Sequence, residues 1–237
     1  MWAIFKKEVA VYFLTPFGYV FMGMFLLITG IVFTAYNIAG ARGDMLGMLG
    51  VLNFISIVVF PILTMKLLAE EKKMATDQLL FTVAVPTTSI VLGKYLAAFF
   101  VFLATLATTG IYAVFILIFS RASLGTILAS YLGFILLGSS YIAICLFASS
   151  LTDNQVTAAI SGFGFLFGFM LIGFLANAVP FPIVKTVLLW LAILSKYQEF
   201  TNGLLKVGPL VYYLSFTVIF ILFTIQVVEN QHRSREW

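Results

Sequence analysis

Glu70, Glu71, Lys72, Lys73 and Asp77 stand within eight residues of one another, in the stretch LAEEKKMATDQLLFTVAVPTTSIVLGKYLA that runs from 68 to 97. Adjacent carboxylates and ammoniums can exchange protons, hold a cation, or pair with charges on another surface. The rest of the sequence narrows that choice. The single Cys145 lies in an apolar run and can form no internal disulfide, and the single His232 has no neighbouring Cys or His to give metal-ligand spacing. No nucleophile has a base partner at a useful spacing. Gly93-Lys94-Tyr95 lacks both the glycine four residues upstream and the following Ser or Thr, so it builds no phosphate-cradling loop. Pairing with a charged surface is the chemistry left to the cluster.

The elements that must position it are of a very different composition. Of 237 residues, 62% are hydrophobic and 9% charged, with 26 Phe and a mean hydropathy of +1.13. Soluble domains carry roughly 25% charged residues. The fold class read from this is all-α: a polytopic membrane protein, one transmembrane domain over residues 1–237. A bilayer core takes about 20 apolar residues of helix. Six runs reach that length, at 17–38, 46–65, 96–119, 128–149, 156–179 and 210–228. Between the fifth and sixth lies 181–207, whose apolar piece from Val187 to Leu194 is too short to span and is preceded by Lys185. It is predicted as a re-entrant or surface-lying helical hairpin, because inserting it would bury Lys185. The net charge of +4 and pI near 9.2 come from basic residues scattered at the edges of the runs. They read as membrane anchors, not as a nucleic-acid surface.

Those basic residues orient the spans. With both termini cytoplasmic, Lys6, Lys7, Lys66, Lys72, Lys73, Lys94, Arg233 and Arg235 lie inside and Arg42, Arg121, Lys185, Lys196 and Lys206 outside. The expected location is the cytoplasmic membrane. In residues 1–15, Trp2, Phe5, Val9, Tyr12 and Phe13 share one helical face, with Lys6, Lys7 and Glu8 opposite, before Pro16-Phe17-Gly18 breaks the run. This predicts an interfacial helix, marked by Trp2, Phe5, Lys6, Lys7 and Tyr12, on the inner leaflet. The alternative is a plain extension of the first span. Glu8 and the lack of a small-residue cleavage site argue against a signal peptide.

Residues 69–89 then form the connection between the second and third spans. Thr76-Asp77-Gln78 can cap a helix through Leu79, Leu80, Phe81 and Val83, which Pro86 ends, with Ser89 able to cap the next. Such a segment suits docking to a soluble partner, the alternative being an ordinary solvated loop. None of the six runs holds Asp, Glu or His near its centre, which argues against a proton- or sodium-driven carrier. Thr105, Thr108, Thr109, Ser139 and Ser140 read as helix-packing hydrogen-bond donors. Gly164 and Gly168 make a G-x-x-x-G step with Gly162 on the same helix, allowing close approach of a helix from the same chain or a second copy.

At this point the sequence resembles a known family. Leu68-Ala69-Glu70-Glu71-Lys72-Lys73, Thr76, Leu79 to Thr82 and Ile90 to Ala97 resemble the coupling segment of ABC-2 type transporter permeases. Ser195 to Phe200 with Gly203, Val211 to Ser215, and Ser150 to Gln155 look most like the gliding-motility and nitrous-oxide-accessory branch. The sequence departs from the pattern at Ala75, where Gly is usual, at Lys72 and Lys73, where arginines are commoner, and at Pro86, two residues late. Gln198 and Asn202 stand where an acidic and a basic residue are usual. The resemblance implies a permease, not itself an enzyme, that pairs with a second permease subunit, as a homodimer or with a close paralogue, and with two copies of a cytoplasmic ATPase. It binds no cofactor directly, Mg-ATP belonging to the ATPase subunit. It also implies a coupling helix between spans two and three, with Glu70, Glu71, Lys72, Lys73, Thr76, Asp77, Leu79 and Leu80 as the ATPase contact. An exporter of amphipathic, lipid-like or peptide cargo is the leading expectation. A non-transporting anchor or sensor of an ATPase-driven machine, with an extracytoplasmic accessory protein, is the alternative.

Overall fold

The computed structural model describes residues 1–40, 45–74, 86–119, 123–201 and 207–233. Among them there is helix and no strand, as an apolar chain requires when its backbone groups must be satisfied within each segment. Six stretches are long and apolar enough to cross a membrane: Pro16–Ala39, Gly47–Lys73, Thr87–Phe119, Leu124–Ser150, Gln155–Ala176 and Val207–Arg233. The chain is an all-α polytopic membrane protein.

Helix α1 (Trp2–Leu14) ends at Thr15, and α2 (Pro16–Val32) starts on a proline whose missing N–H is lost to no partner at that position. A π-helical stretch, Phe33–Ala39, continues the first span. The second span is α3 (Met45–Thr64), which carries Pro61, followed by a turn and the five-residue α4 (Ala69–Lys73). The third joins α5 (Thr87–Thr108) to α6 (Gly110–Phe119). At the joint the Tyr131 hydroxyl donates to the Thr109 carbonyl at 2.9 Å, supplying a partner where the helix ladder is interrupted. Helix α7 (Leu124–Ser150) is the centre of the bundle, with 78% of its most apolar window buried, whereas α8 (Gln155–Ala178) lies at the edge with 17%. Two short helices, α9 (Pro182–Leu191) and α10 (Ile193–Thr201), precede α11 (Val207–Arg233).

The six runs expected from the sequence are all present, with two corrections. The third does not begin at residue 96: α5 starts at Thr87, so Lys94, read above as an anchor at the edge of a run, is inside a helix and 1% exposed. Pro86 sits at the N-cap and no side chain caps the helix; Ser89 lies in the first turn, its N–H donating to the Pro86 carbonyl at 2.8 Å. The helix outruns its apolar sequence because its first turns face α1 and need no lipid. The 33 residues from Thr87 to Phe119 span about 50 Å, well over the roughly 30 Å core.

The hairpin before the last span is two helices meeting at Ala192. Ile193, Tyr197 and Phe200 of α10 are buried, while α9 buries no residue. Tyr213 donates to the Ile193 carbonyl at 2.7 Å and Tyr212 to the Leu191 carbonyl at 3.3 Å, tying the joint to α11. Phe200 lies so near Gly133 that a Cβ there would sit 2.8 Å from it. Inside the bundle, Ser139 meets the Tyr95 hydroxyl at 2.7 Å and Thr217 at 3.1 Å. Ser140 donates to the Tyr213 carbonyl at 3.2 Å. These two serines and Thr109 bridge helices, as expected; Thr105 and Thr108 bond instead to their own helix, at the Val101 and Thr105 carbonyls.

Candidate functional site

The charged residues converge at the end of the bundle where α1 lies. Three features seat α1 against α5 and α3. Gly93 lets Ile4 approach so closely that a Cβ would stand 2.9 Å from its Cγ2. Phe5 meets Phe100 edge-on at 5.9 Å. Tyr12 is buried and donates its hydroxyl to the Leu63 carbonyl, near the end of α3, at 2.7 Å. That bond outlasts any physiological pH, because burial, aided by the Glu8 charge, pushes the phenol well above its ordinary range.

Glu8, one turn before Tyr12, turns the same way. This corrects the sequence reading, which put Glu8 on the solvent face opposite Tyr12. The carboxylate is buried because a buried cation awaits it: the Lys94 ammonium lies 2.9 Å from Glu8 Oε1 and 2.9 Å from Glu71 Oε2. Lys7 closes the cluster from its exposed side, 3.4 Å from Glu71 Oε1 and 3.9 Å from Glu8. Two carboxylates and two ammoniums give a group without net charge, which is how ionised groups are retained where water is scarce. Glu70 points away from it and pairs one turn back with Lys66 at 3.7 Å. Trp2 is 63% exposed, stacked on Phe5 with Lys6 over its ring.

The opposite flank of α4 is held by the end of α7. The Ser149 hydroxyl accepts from the N–H groups of Leu68 and Ala69 at 3.4 and 3.2 Å, taking up orphan donors at the start of α4. The Ser150 carbonyl, one of the last on α7, accepts from the Lys72 ammonium and from the Gln231 amide at 3.2 Å. A cation there suits the negative end of the helix. Lys73 is exposed at the end of α4. Thus α4 is pinned by α1 and α5 on one side and on the other by α7, whose last turn α11 also holds. Above α4, between α1 and the start of α2, opens a cavity of about 260 Å³ whose floor is Glu8, Tyr12 and Lys94.

Neither a known protein family nor a curated protein matches the chain. Its site must be read from its own geometry.

Of the expected contact residues, Glu70, Glu71, Lys72 and Lys73 are therefore brought to one place. Thr76, Asp77, Leu79, Leu80 and the helix expected to follow Thr76 lie outside the described residues. Glu8, Lys94, Ser149, Ser150 and Gln231 complete the junction and were missed. Glu8 had a signal, being the only acidic residue before Asp44, and so did Lys94, a lone cation among Val91, Leu92, Tyr95 and Leu96. The serine contacts had none. The glycines of α8 divide. Gly162 packs internally, a Cβ there falling 3.4 Å from Cys145 Sγ and Pro61 Cβ, but Gly164 and Gly168 have nothing within 4 Å. Among the described residues no group of three His, Cys, Asp or Glu is placed to hold a metal.

Proposed function

We propose that this chain is the membrane-spanning permease subunit of an ATP-driven transporter of ABC-2 type, exporting amphipathic cargo. A separate ATPase docks on α4 and the residues that follow it, on the cytoplasmic face. The observation that carries this reading is the junction around α4. Five residues of charged helix, with no core of their own, are bonded to α1, α5 and α7, so a force applied at α4 reaches three helices directly and α11 through the Ser150 carbonyl that Lys72 and Gln231 share. A solvated loop needs no such anchoring. The resemblance of residues 68–97 to a coupling segment supports the same reading, as does the lack of Asp, Glu or His near the centre of any of the six runs to drive ion coupling.

The test is purification of the tagged chain from its native membrane. Recovery of an ATP-hydrolysing subunit, whose turnover rises with a defined exported compound, is the expected result. A chain that recovers no ATPase, at a yield that shows it intact, overturns the proposal. An ATPase that no cargo stimulates would point to the anchor or sensor role.

A further inference from the structure

The cavity above α4 has a chemistry that its ion pairs do not use up. We propose that it is a headgroup site for an amine-bearing phospholipid, with Lys7 and Lys66 meeting the phosphate and Glu70 the ammonium. The proposal does not depend on the transport reading.

Its level in the bundle comes first. Phe17 is in the first turn of α2, and Lys66 and Leu67 lie two and three residues past the last residue of α3, Thr64. Both are ends of spanning helices, the depth at which hydrocarbon gives way to headgroups. The volume, about 260 Å³, falls just below the roughly 300–1,000 Å³ of sites that enclose a whole small molecule. It suits the polar end of an amphiphile whose chains stay outside. Val11 in the wall is exposed and continues the apolar surface those chains would follow.

Bonding capacity comes second. At the floor, Lys94 is spent on two carboxylates at 2.9 Å. At the rim, the pairs are loose: Lys7 is 3.4 and 3.9 Å from its carboxylates, and Lys66 is 3.7 Å from Glu70. Among the described residues Lys66 donates no hydrogen bond; its ammonium rests 3.6 Å over the Phe17 ring. Each ammonium has three donors, so two cations facing one cavity offer several to an oxygen-rich anion. A phosphate accepts them with charge assistance.

The balance of charge selects the headgroup. Three lysines and three glutamates line the cavity, so a purely anionic headgroup gains from one sign and is opposed by the other. A phosphate carrying a primary ammonium meets both, with N–H donors for the half-exposed Glu70 carboxylate. A quaternary ammonium has no N–H to offer, and the ring that would attract it, Phe17, already holds Lys66.

The experiment equilibrates the purified full chain with equal amounts of ethanolamine, choline and glycerol phospholipids of distinct mass and identifies the lipids it retains by native mass spectrometry. Preferential retention of the ethanolamine lipid is expected. The double variant Lys7→Gln, Lys66→Gln should lower it about tenfold, roughly the effect of losing 1.4 kcal/mol. Lys73→Gln, outside the cavity, should leave it unchanged, with helicity confirming that each variant is folded. Equal retention of the three lipids, or no loss in the double variant, overturns the proposal. So does displacement of the lipid by soluble glycerophosphoethanolamine at matching concentration, since the ligand would then be a free phosphodiester and not a membrane lipid.

Discussion

Lys94 is the residue on which the junction depends, since the fully buried ammonium lies 2.9 Å from both carboxylates. Replacing it with Met removes the close cation from Glu8 and Glu71 and leaves them the looser, more exposed Lys7 at 3.9 and 3.4 Å. The expected loss is about 3–5 kcal/mol, the usual range for breaking a buried pair by removing one partner. Glu8→Gln should cost less, because Lys94 keeps Glu71 and the amide oxygen can still accept. Unfolding in graded denaturing detergent, followed by helicity, gives the order; equal or negligible losses would mean that the cluster is hydrated and weak. The residue scale is also where the sequence was least legible. A lysine at the edge of an apolar run is by default an anchor, and only the three-dimensional approach of Glu8, 86 positions away, turns it into a buried hub. The hydroxyl and carbonyl of Ser149 and Ser150 had no pattern to announce them.

At the scale of elements, apolar length alone placed the six spans, because a bilayer admits few other solutions. It misplaced the start of α5 for the same reason: the rule assumes that a helix ends where lipid contact ends, whereas α5 continues along α1. The docking experiment changes with this geometry. Glu71 is part of the buried cluster, so Glu71→Ala should weaken the fold itself, while Glu70, paired only at 3.7 Å and partly exposed, tests the surface. Glu70→Ala should cost an ATPase contact about 0–1 kcal/mol. Leu79→Asp, by placing a charge in an apolar contact, should cost more. Co-purified ATPase per chain measures both, and undiminished recovery in each would withdraw the docking role. The two glycine environments on α8 give a second contrast. Gly162→Leu should destabilise by roughly 1–3 kcal/mol through overpacking against Cys145 and Pro61. Gly168→Leu should leave the monomer intact and alter only association, read from cross-linked dimer in the membrane. Loss of folded monomer in Gly168→Leu would contradict the open face.

The whole molecule is a bundle with one deeply buried helix, α7, and one helix, α8, whose Phe163, Phe167, Phe174 and Leu175 look outward. Its sidedness can be measured directly. Cysteines introduced at Thr76 and Asn202 in a Cys145→Ser background, labelled on intact cells with an impermeant reagent, should react at 202 and not at 76. The reverse pattern would invert the orientation. The buried background cysteine is itself out of reach of such reagents.

The Glu8 to Lys94 contact also sets a schedule for synthesis. Helix α1 leaves the ribosome before either of its ionic partners exists, and Lys94 follows Glu8 by 86 residues. At about 5–20 residues per second this is a delay of roughly 4–17 s, during which Glu8 must stay in water. Helix α1 can therefore be seated only once the third span has been made. Nascent chains arrested before and after the third span has emerged should differ in how readily protease removes the first fifteen residues, protection appearing only in the longer set.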